Sequence, residues 1–305
     1  MVGTMRRWLL RAGIVYLIAS LGAGVVLGEF ALQRGHLPGG ARDARARADA
    51  VAVAHGARLE SIRVVAADGV PLAGWLFTRG LAARGTVIVT HGSGGSRDHA
   101  TPYAEFLLDA GYDVLAPDAR GHGESGGLAT YGIREADDLQ RWAGVIRRRS
   151  PGRCLFALGS SMGGAHALMA EAAAPTFCAI VSDSAYATFL EAGLDRVARP
   201  LGLGDAGRVV GRPAAYAGLG YVRLRYGVNL LDARPVAAIA RMHAPVLLIH
   251  GDADRNTPAY HAVALAAAQP SAELWLVPGA THTAAWRAAP REFPRRIVAF
   301  FRRHG

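Results

Sequence analysis

Cys154-Leu155-Phe156-Ala157-Leu158-Gly159-Ser160-Ser161-Met162-Gly163-Gly164-Ala165-His166-Ala167-Leu168-Met169-Ala170 is the stretch on which the reading of this chain turns. An apolar run gives way to a G-x-S-x-G pentapeptide, which leads into a helix-forming segment. In that strand–turn–helix setting the central serine is posed on a sharp, strained turn, which makes Ser161 a candidate nucleophile. A Cβ at Gly159 or Gly163 would crowd the turn, and Ser161 itself is expected in an unfavourable backbone conformation. Taken alone, the pentapeptide separates a nucleophile from a plain glycine-rich turn only modestly, so its partners have to decide.

A serine hydroxyl needs a base to take its proton and an acid to orient that base. Two strand-like runs follow the serine: Ala244-Pro245-Val246-Leu247-Leu248-Ile249-His250, and then Ala272-Glu273-Leu274-Trp275-Leu276-Val277. The loop after the first holds Asp252 and Asp254, and the loop after the second holds His282. The chain order Ser161, Asp254, His282 is the nucleophile-acid-base order of this motif class. Both partners fall just beyond the carboxyl end of a strand, where open α/β sheets bind ligands. Asp183, after the run Cys178-Ala179-Ile180-Val181-Ser182, is the alternative acid.

Four features together make the chain resemble the α/β-hydrolases, in the small esterase, monoglyceride-lipase-like and serine-aminopeptidase-like branch. They are Thr90-His91-Gly92-Ser93-Gly94-Gly95, Pro117-Asp118-Ala119-Arg120-Gly121-His122-Gly123-Glu124-Ser125, the Ser161 pentapeptide, and His250-Gly251-Asp252-Ala253-Asp254 with His282. The similarity covers about residues 58 to 303. It implies a mostly parallel sheet flanked by helices, and an oxyanion hole made by the backbone N–H groups of Ser93 and Met162. Family position favours Asp254 as the acid, with Asp252 shaping the turn. It also implies a cap insert over the active site at about 187–240, where the strand–helix alternation breaks. There Phe189, Leu190, Leu194 and Val197 fall on one helical face, Tyr216, Leu219, Tyr221 and Leu224 add apolar bulk, and Arg196, Arg199, Arg208, Arg212, Arg223 and Arg225 make the insert basic. His91 reads as a structural hydrogen-bonding group, and His55, His99, His166 and His261 as surface or satisfied core residues.

The remaining pattern agrees with one α/β domain over 58–305. Residues 59–66 and 71–78 alternate around Asp68-Gly69 as an antiparallel hairpin, and the run 86–90 begins a series of short apolar strands separated by helical segments. Helices are expected at about 100–110, 134–149, 162–174, 258–268 and 290–303. Gly121 to Gly126 formally matches G-x-G-x-x-G, but the strand before it stops early and no helix opens after it, so a dinucleotide site is not expected. No phosphate-loop or H-E-x-x-H zinc signature is present, and neither cofactor nor metal is expected.

The N-terminus is a separate question. After Arg6, Arg7 and Arg11, the uncharged run 12–28 would reach ~26 Å as a helix. It reads as a single-pass membrane anchor within residues 1–33, a cleaved signal peptide being the rival. Residues 34–57 read as a juxtamembrane linker or short juxtamembrane helix, with arginines placed to meet anionic lipid head groups. Arg6, Arg7 and the terminal amine favour a cytoplasmic N-terminus and an extracytoplasmic hydrolase domain, although Arg34, Arg42, Arg45 and Arg47 crowd the other flank. Gly24 and Gly28 form a G-x-x-x-G pair that chance in an Ala/Gly-rich segment explains.

The formal net charge of +10 comes from 34 basic and 24 acidic residues, every basic one an arginine. Without a nucleic-acid motif this reads as coding bias, and no nucleic-acid partner is expected. The two cysteines, Cys154 and Cys178, read by default as buried free thiols, a cross-strand disulfide being compatible with export.

The function expected from these residues is two-step acyl transfer on a small-molecule or lipid acyl substrate, carboxylic esters first. Peptidase, thioesterase or acyltransferase chemistry would use the same residues. The contrasting class is a non-catalytic membrane-anchored binding protein on a hydrolase scaffold. The sequence does not fix the oligomeric state.

Overall fold

The computed structural model describes residues 2–33, 43–80 and 83–305. Its centre is one eight-stranded sheet, order β1-β2-β4-β3-β5-β6-β7-β8. The strands are β1 (Arg58–Val65), β2 (Pro71–Thr78), β3 (Gly85–Thr90), β4 (Asp113–Pro117), β5 (Cys154–Ser160), β6 (Ala179–Asp183), β7 (Val246–Gly251) and β8 (Glu273–Val277). β1 and β2 form the expected antiparallel hairpin, with Ile62 opposite Gly74, and β2 runs antiparallel to β4. From β4 to β8 every pairing is parallel. Strands β3, β4, β6 and β7 are buried along their whole length, as continuous apolar runs covered on both faces should be.

The helices are α1 (Val2–Gln33), α2 (Ala44–Ala54), α3 (Thr101–Asp109), α4 (Glu135–Arg149), α5 (Met162–Ala173), α6 (Phe189–Leu201), α7 (Asp205–Tyr226), α8 (Pro235–Ile239), α9 (Tyr260–Ala268), α10 (Ala285–Ala288) and α11 (Glu292–Arg303). They divide the core between the two faces of the sheet. Phe156, Leu158, Phe293, Phe300 and Phe301 pack on one side. Ile88, Leu115, Trp142, Leu168 and Ile180 pack on the other. α4 carries three acids in its first turn and three arginines in its last, a distribution that complements the helix dipole.

The 117–125 segment is a structural knot. The Asp118 carboxylate accepts the N–H groups of Arg97 (2.6 Å) and Glu124 (2.9 Å). Ser125 Oγ donates to the Asp118 carbonyl (2.8 Å) and accepts from Ala73 N–H. The Arg120 guanidinium clamps both Asp138 oxygens at 2.7 Å and reaches Asp68 at 2.9 Å. Gly121 (φ +70°) and Gly123 (φ +52°) allow the chain to close on itself, and a Cβ at Gly123 would occupy the space of the Asp118 carboxylate. The glycines here serve a closed loop, as the absence of a following helix indicated.

Two expectations are corrected. Cys154 and Cys178 are half-buried and joined in a disulfide, with Cα atoms 5.7 Å apart. The reason is register: Cys178 donates its N–H to the Leu155 carbonyl (2.7 Å), which sets the starts of β5 and β6 side by side at bridging distance. The Gly24/Gly28 pair also has a packing role. Residues Tyr16 to Leu32 of α1 lie along α7: Tyr16 bonds the Val210 carbonyl, and Tyr221 and Tyr226 hold Glu29. A Cβ added at Gly24 would sit 2.6 Å from Gly218 N, so the two backbones touch there. The linker expected at 34–57 lies outside the described residues over 34–42, Arg34 and Arg42 included; 44–54 is helix α2, tied to β1 through Arg45 and Ser61.

Candidate active site

The serine turn has the strain its sequence predicts. Ser161 sits at φ +53°, ψ −115°, between β5 and α5. A Cβ at Gly163 would strike the Thr90 carbonyl and one at Gly159 would strike the Gly163 backbone, so both glycines are obligatory. The turn is fixed by Ser161 N–H donating to the Asp183 carbonyl (2.7 Å) and Thr90 Oγ1 donating to the Gly163 carbonyl (3.0 Å). Bonds from two neighbouring strands hold a conformation that would otherwise relax.

His282 arrives on the loop after β8. Its Nε2 lies 2.9 Å from Ser161 Oγ, and its Nδ1 lies 2.6 Å from Asp254 Oδ2. Asp254 belongs to the loop after β7, where its other oxygen accepts the N–H groups of Asn256 (2.8 Å) and Thr257 (2.9 Å). Burial alone would raise the Asp254 pKa, but hydrogen bonds from His250 and His282 outweigh it and hold the carboxyl well below the usual range. Asp254 is therefore an anion facing the imidazole N–H. Asp252 caps the adjoining turn by accepting Gly279 N–H at 2.7 Å.

Asp183, the alternative acid, is near but differently engaged. One carboxylate oxygen accepts from Ser184 Oγ (2.9 Å), the other is buried without a hydrogen-bond partner, and neither bonds His282. Burial pushes its pKa up to about 6, against the pull of Ser184, His250 and His282. His250 is the residue that sequence reasoning passed over. Fully buried, it donates Nε2–H to the Thr257 carbonyl (2.7 Å) and lies 3.5 Å from Asp254 Oδ2, bracing the acid's loop from behind. Its signal was its place in His250-Gly251-Asp252-Ala253-Asp254.

On the other side, Gly92 passes so close that a Cβ there would be 3.3 Å from the Ser161 Cβ. His91 anchors this loop: Nδ1 donates to the Gly92 carbonyl (2.8 Å) and Nε2 accepts Ala119 N–H (3.0 Å). Burial, with the nearby His122, drops its pKa to about 3, so the ring is neutral and structural. Ser93 and Met162 both line the cavity beside Ser161, Met162 at the start of α5 where N–H groups point out of the helix end.

That cavity has a volume of about 1360 Å³. The insert supplies α6 and α7, and Phe189, Leu190, Val197, Leu219 and Val222 line the space over the serine. Of the other residues singled out in the insert, Leu194 is core, Tyr221 bonds Glu29, and Tyr216 and Leu224 face outward. Arg208 is not a solvated charge: it pairs with Glu191 and Asp195, and Asp195 also meets the buried His261. Among the described residues no group of His, Cys, Asp and Glu is arranged to hold a metal ion.

A sequence model described as the alpha/beta hydrolase family matches residues 87–299. YqkD of Bacillus subtilis (strain 168) is 30% identical over 177 residues, 57% of this chain, and the chain spans only 56% of that relative. YfhR of Escherichia coli (strain K12) is 28% identical over 257 residues, 81% of this chain and 76% of its own length. Among solved structures, the Pyrococcus furiosus esterase Pf2001 superposes with a TM-score of 0.67 at 25% identity, covering 83% of this chain and 96% of that one.

Proposed function

Because the chain belongs to the alpha/beta hydrolase family, we propose that it is a membrane-anchored serine hydrolase that cleaves carboxylic esters through an acyl-enzyme. The single observation that carries the proposal is the hydrogen-bonded line Ser161 Oγ, His282 Nε2, His282 Nδ1, Asp254 Oδ2. Ser161 Oγ attacks the ester carbonyl carbon as its proton passes to His282 Nε2. The imidazolium is stabilised by the Asp254 carboxylate. Negative charge gathers on the carbonyl oxygen, where the N–H groups of Ser93 and Met162 are its proposed donors; removing one such donor typically costs ~3 kcal/mol of barrier. Collapse expels the alcohol, which takes its proton from His282, and water resolves the acyl-enzyme by the same steps.

Ester chemistry is favoured over amide or thioester chemistry by the likeness to an esterase at 25% identity. Anchoring by α1 is supported by its stretch Thr4–Gln33, which is long and apolar enough to cross a membrane; a signal sequence passes the same test. An extracytoplasmic domain is supported by the Cys154–Cys178 disulfide, since such bonds persist in oxidising compartments.

The test is covalent labelling by a fluorophosphonate probe. Wild type should label and Ser161→Ala should not; equal labelling of the two removes Ser161 as the nucleophile. Product analysis with competing alcohols then separates hydrolysis from acyl transfer.

A further inference from the structure

α1 does more than leave the domain. Its last turns enter the catalytic architecture: Leu32 is fully buried in the cluster that includes Met162, Ala165 and Tyr186, around the start of the nucleophile's helix. Tyr131 Oη donates to the Ala31 carbonyl (2.8 Å), and Ala129 N–H donates to the Leu32 carbonyl (3.2 Å). In the turn leading into Leu32, residues Leu27, Gly28, Phe30 and Ala31 line the same cavity as Ser161 and His282. Leu27 and Phe30 keep 39% and 53% of their surface open, so each leaves part of a large apolar side chain accessible.

The position of the cap adds a second constraint. With α1 docked along α7 from Tyr16 onward, residues 2–15 are the part beyond the docked stretch, a reach of ~21 Å as helix. That is less than the ~30 Å hydrocarbon core of a bilayer. Because residues 2–15 also carry Arg6, Arg7 and Arg11, α1 reaches across only if part of its docked stretch, and the edge of the cap beside it, enters the apolar layer. On α7, Val209, Val210 and Tyr216 are exposed apolar side chains, and Arg212 and Arg223 are exposed beside them, a mixture suited to the head-group boundary. The backbone contact of Gly24 with Gly218 is the kind of small-residue helix packing that works in an apolar medium, where close van der Waals contact must supply the association.

Resting on the serine-hydrolase reading above, we propose that the segment Leu27 to Ala31 of α1 is a wall of the acyl-binding pocket, and that the site takes long-chain acyl esters directly from the bilayer. The cavity's volume exceeds the usual range for a small-molecule pocket, about 300–1,000 Å³, and its apolar lining from α1, α6 and α7 suits an alkyl chain. The ester end meets Ser161 while the chain lies against Leu27 and Phe30, so the anchor selects for chain length as well as holding the enzyme in place.

The test uses the full chain reconstituted into dioleoyl phosphatidylcholine vesicles. p-Nitrophenyl palmitate is supplied within the bilayer, and p-nitrophenyl acetate is supplied in water. The readout is the ratio of kcat/KM for the two esters. Leu27→Trp, which fills the wall, and Phe30→Ala, which removes it, should each lower the palmitate-to-acetate ratio by about tenfold or more, the scale on which an apolar pocket discriminates chain length. Val26→Trp, the same bulk on the neighbouring exposed residue outside the cavity, should leave the ratio within about twofold. An unchanged ratio in both wall variants, or an equal fall in Val26→Trp, overturns the inference. Fluorophosphonate labelling of each variant reports separately on the site: wild type that fails to label overturns the serine-hydrolase reading itself, whereas labelled variants with an unchanged ratio overturn only the role of α1.

Discussion

Replacing Asp254 by asparagine perturbs the relay where the geometry leaves least freedom. One carboxylate oxygen is pinned by two backbone N–H donors at 2.8 and 2.9 Å, and the other faces His282 Nδ1 at 2.6 Å. An asparagine must give its carbonyl oxygen to the two N–H groups, because turning the amide would set N–H against N–H twice. Its NH₂ then points at Nδ1 and makes that nitrogen an acceptor. The imidazole proton moves to Nε2, the atom 2.9 Å from Ser161 Oγ, which can no longer accept the serine proton. Holding the wrong tautomer in an intact triad costs about 10⁴ in kcat, or about 5 kcal/mol of barrier. The assay is steady-state hydrolysis of a chromogenic ester, with fluorophosphonate labelling rate as a second reading. Asp183→Asn, made in parallel, should stay within about threefold of wild type, under ~1 kcal/mol. Near-wild-type turnover in Asp254→Asn, or a comparable collapse in Asp183→Asn, refutes the tautomer argument and moves the acid to Asp183.

Asp183 makes a separate prediction about stability. Its pKa rises from 3.8 to about 6 in the fold, so the folded state binds the extra proton in that window and stability falls as pH rises through it. Above pH 6 the cost is at most about 3 kcal/mol; Asp183→Asn should therefore raise Tm at pH 7–8 and leave it unchanged at pH 4, and a pH-independent shift contradicts the burial argument. Gly24→Ala, which forces a Cβ against the α7 backbone, should destabilise by about 1–3 kcal/mol; calorimetry showing no loss would mean that α1 is not held on α7. Reducing the disulfide should cost about 3 kcal/mol for a loop of this size, read as a lower denaturation midpoint in dithiothreitol that Cys154→Ser/Cys178→Ser reproduces.

The site was legible where spacing and backbone chemistry act locally. Gly159 and Gly163 announce a turn that tolerates no Cβ, and strand ends at β7 and β8 announce where an acid and a base can stand. The choice of Asp254 over Asp183 was harder, since both follow a strand, and what separates them is which loop turns its carboxylate to Nδ1. His250 was invisible as a brace because its partner is a backbone carbonyl, which sequence does not mark. The disulfide escaped because pairing depends on the register of two neighbouring parallel strands. α1 looked like an independent anchor because its composition says apolar all round, whereas docking is decided by four-residue spacing of glycines against a helix almost two hundred residues away.

Cys154 and Cys178 enclose between them strand β5, the serine turn and helix α5. A protease cut anywhere inside that ring leaves both fragments covalently joined, so a nicked chain would keep its mass on a non-reducing gel and separate only after reduction. The turn that bears Ser161 lies inside this ring, so its cleavage releases neither end.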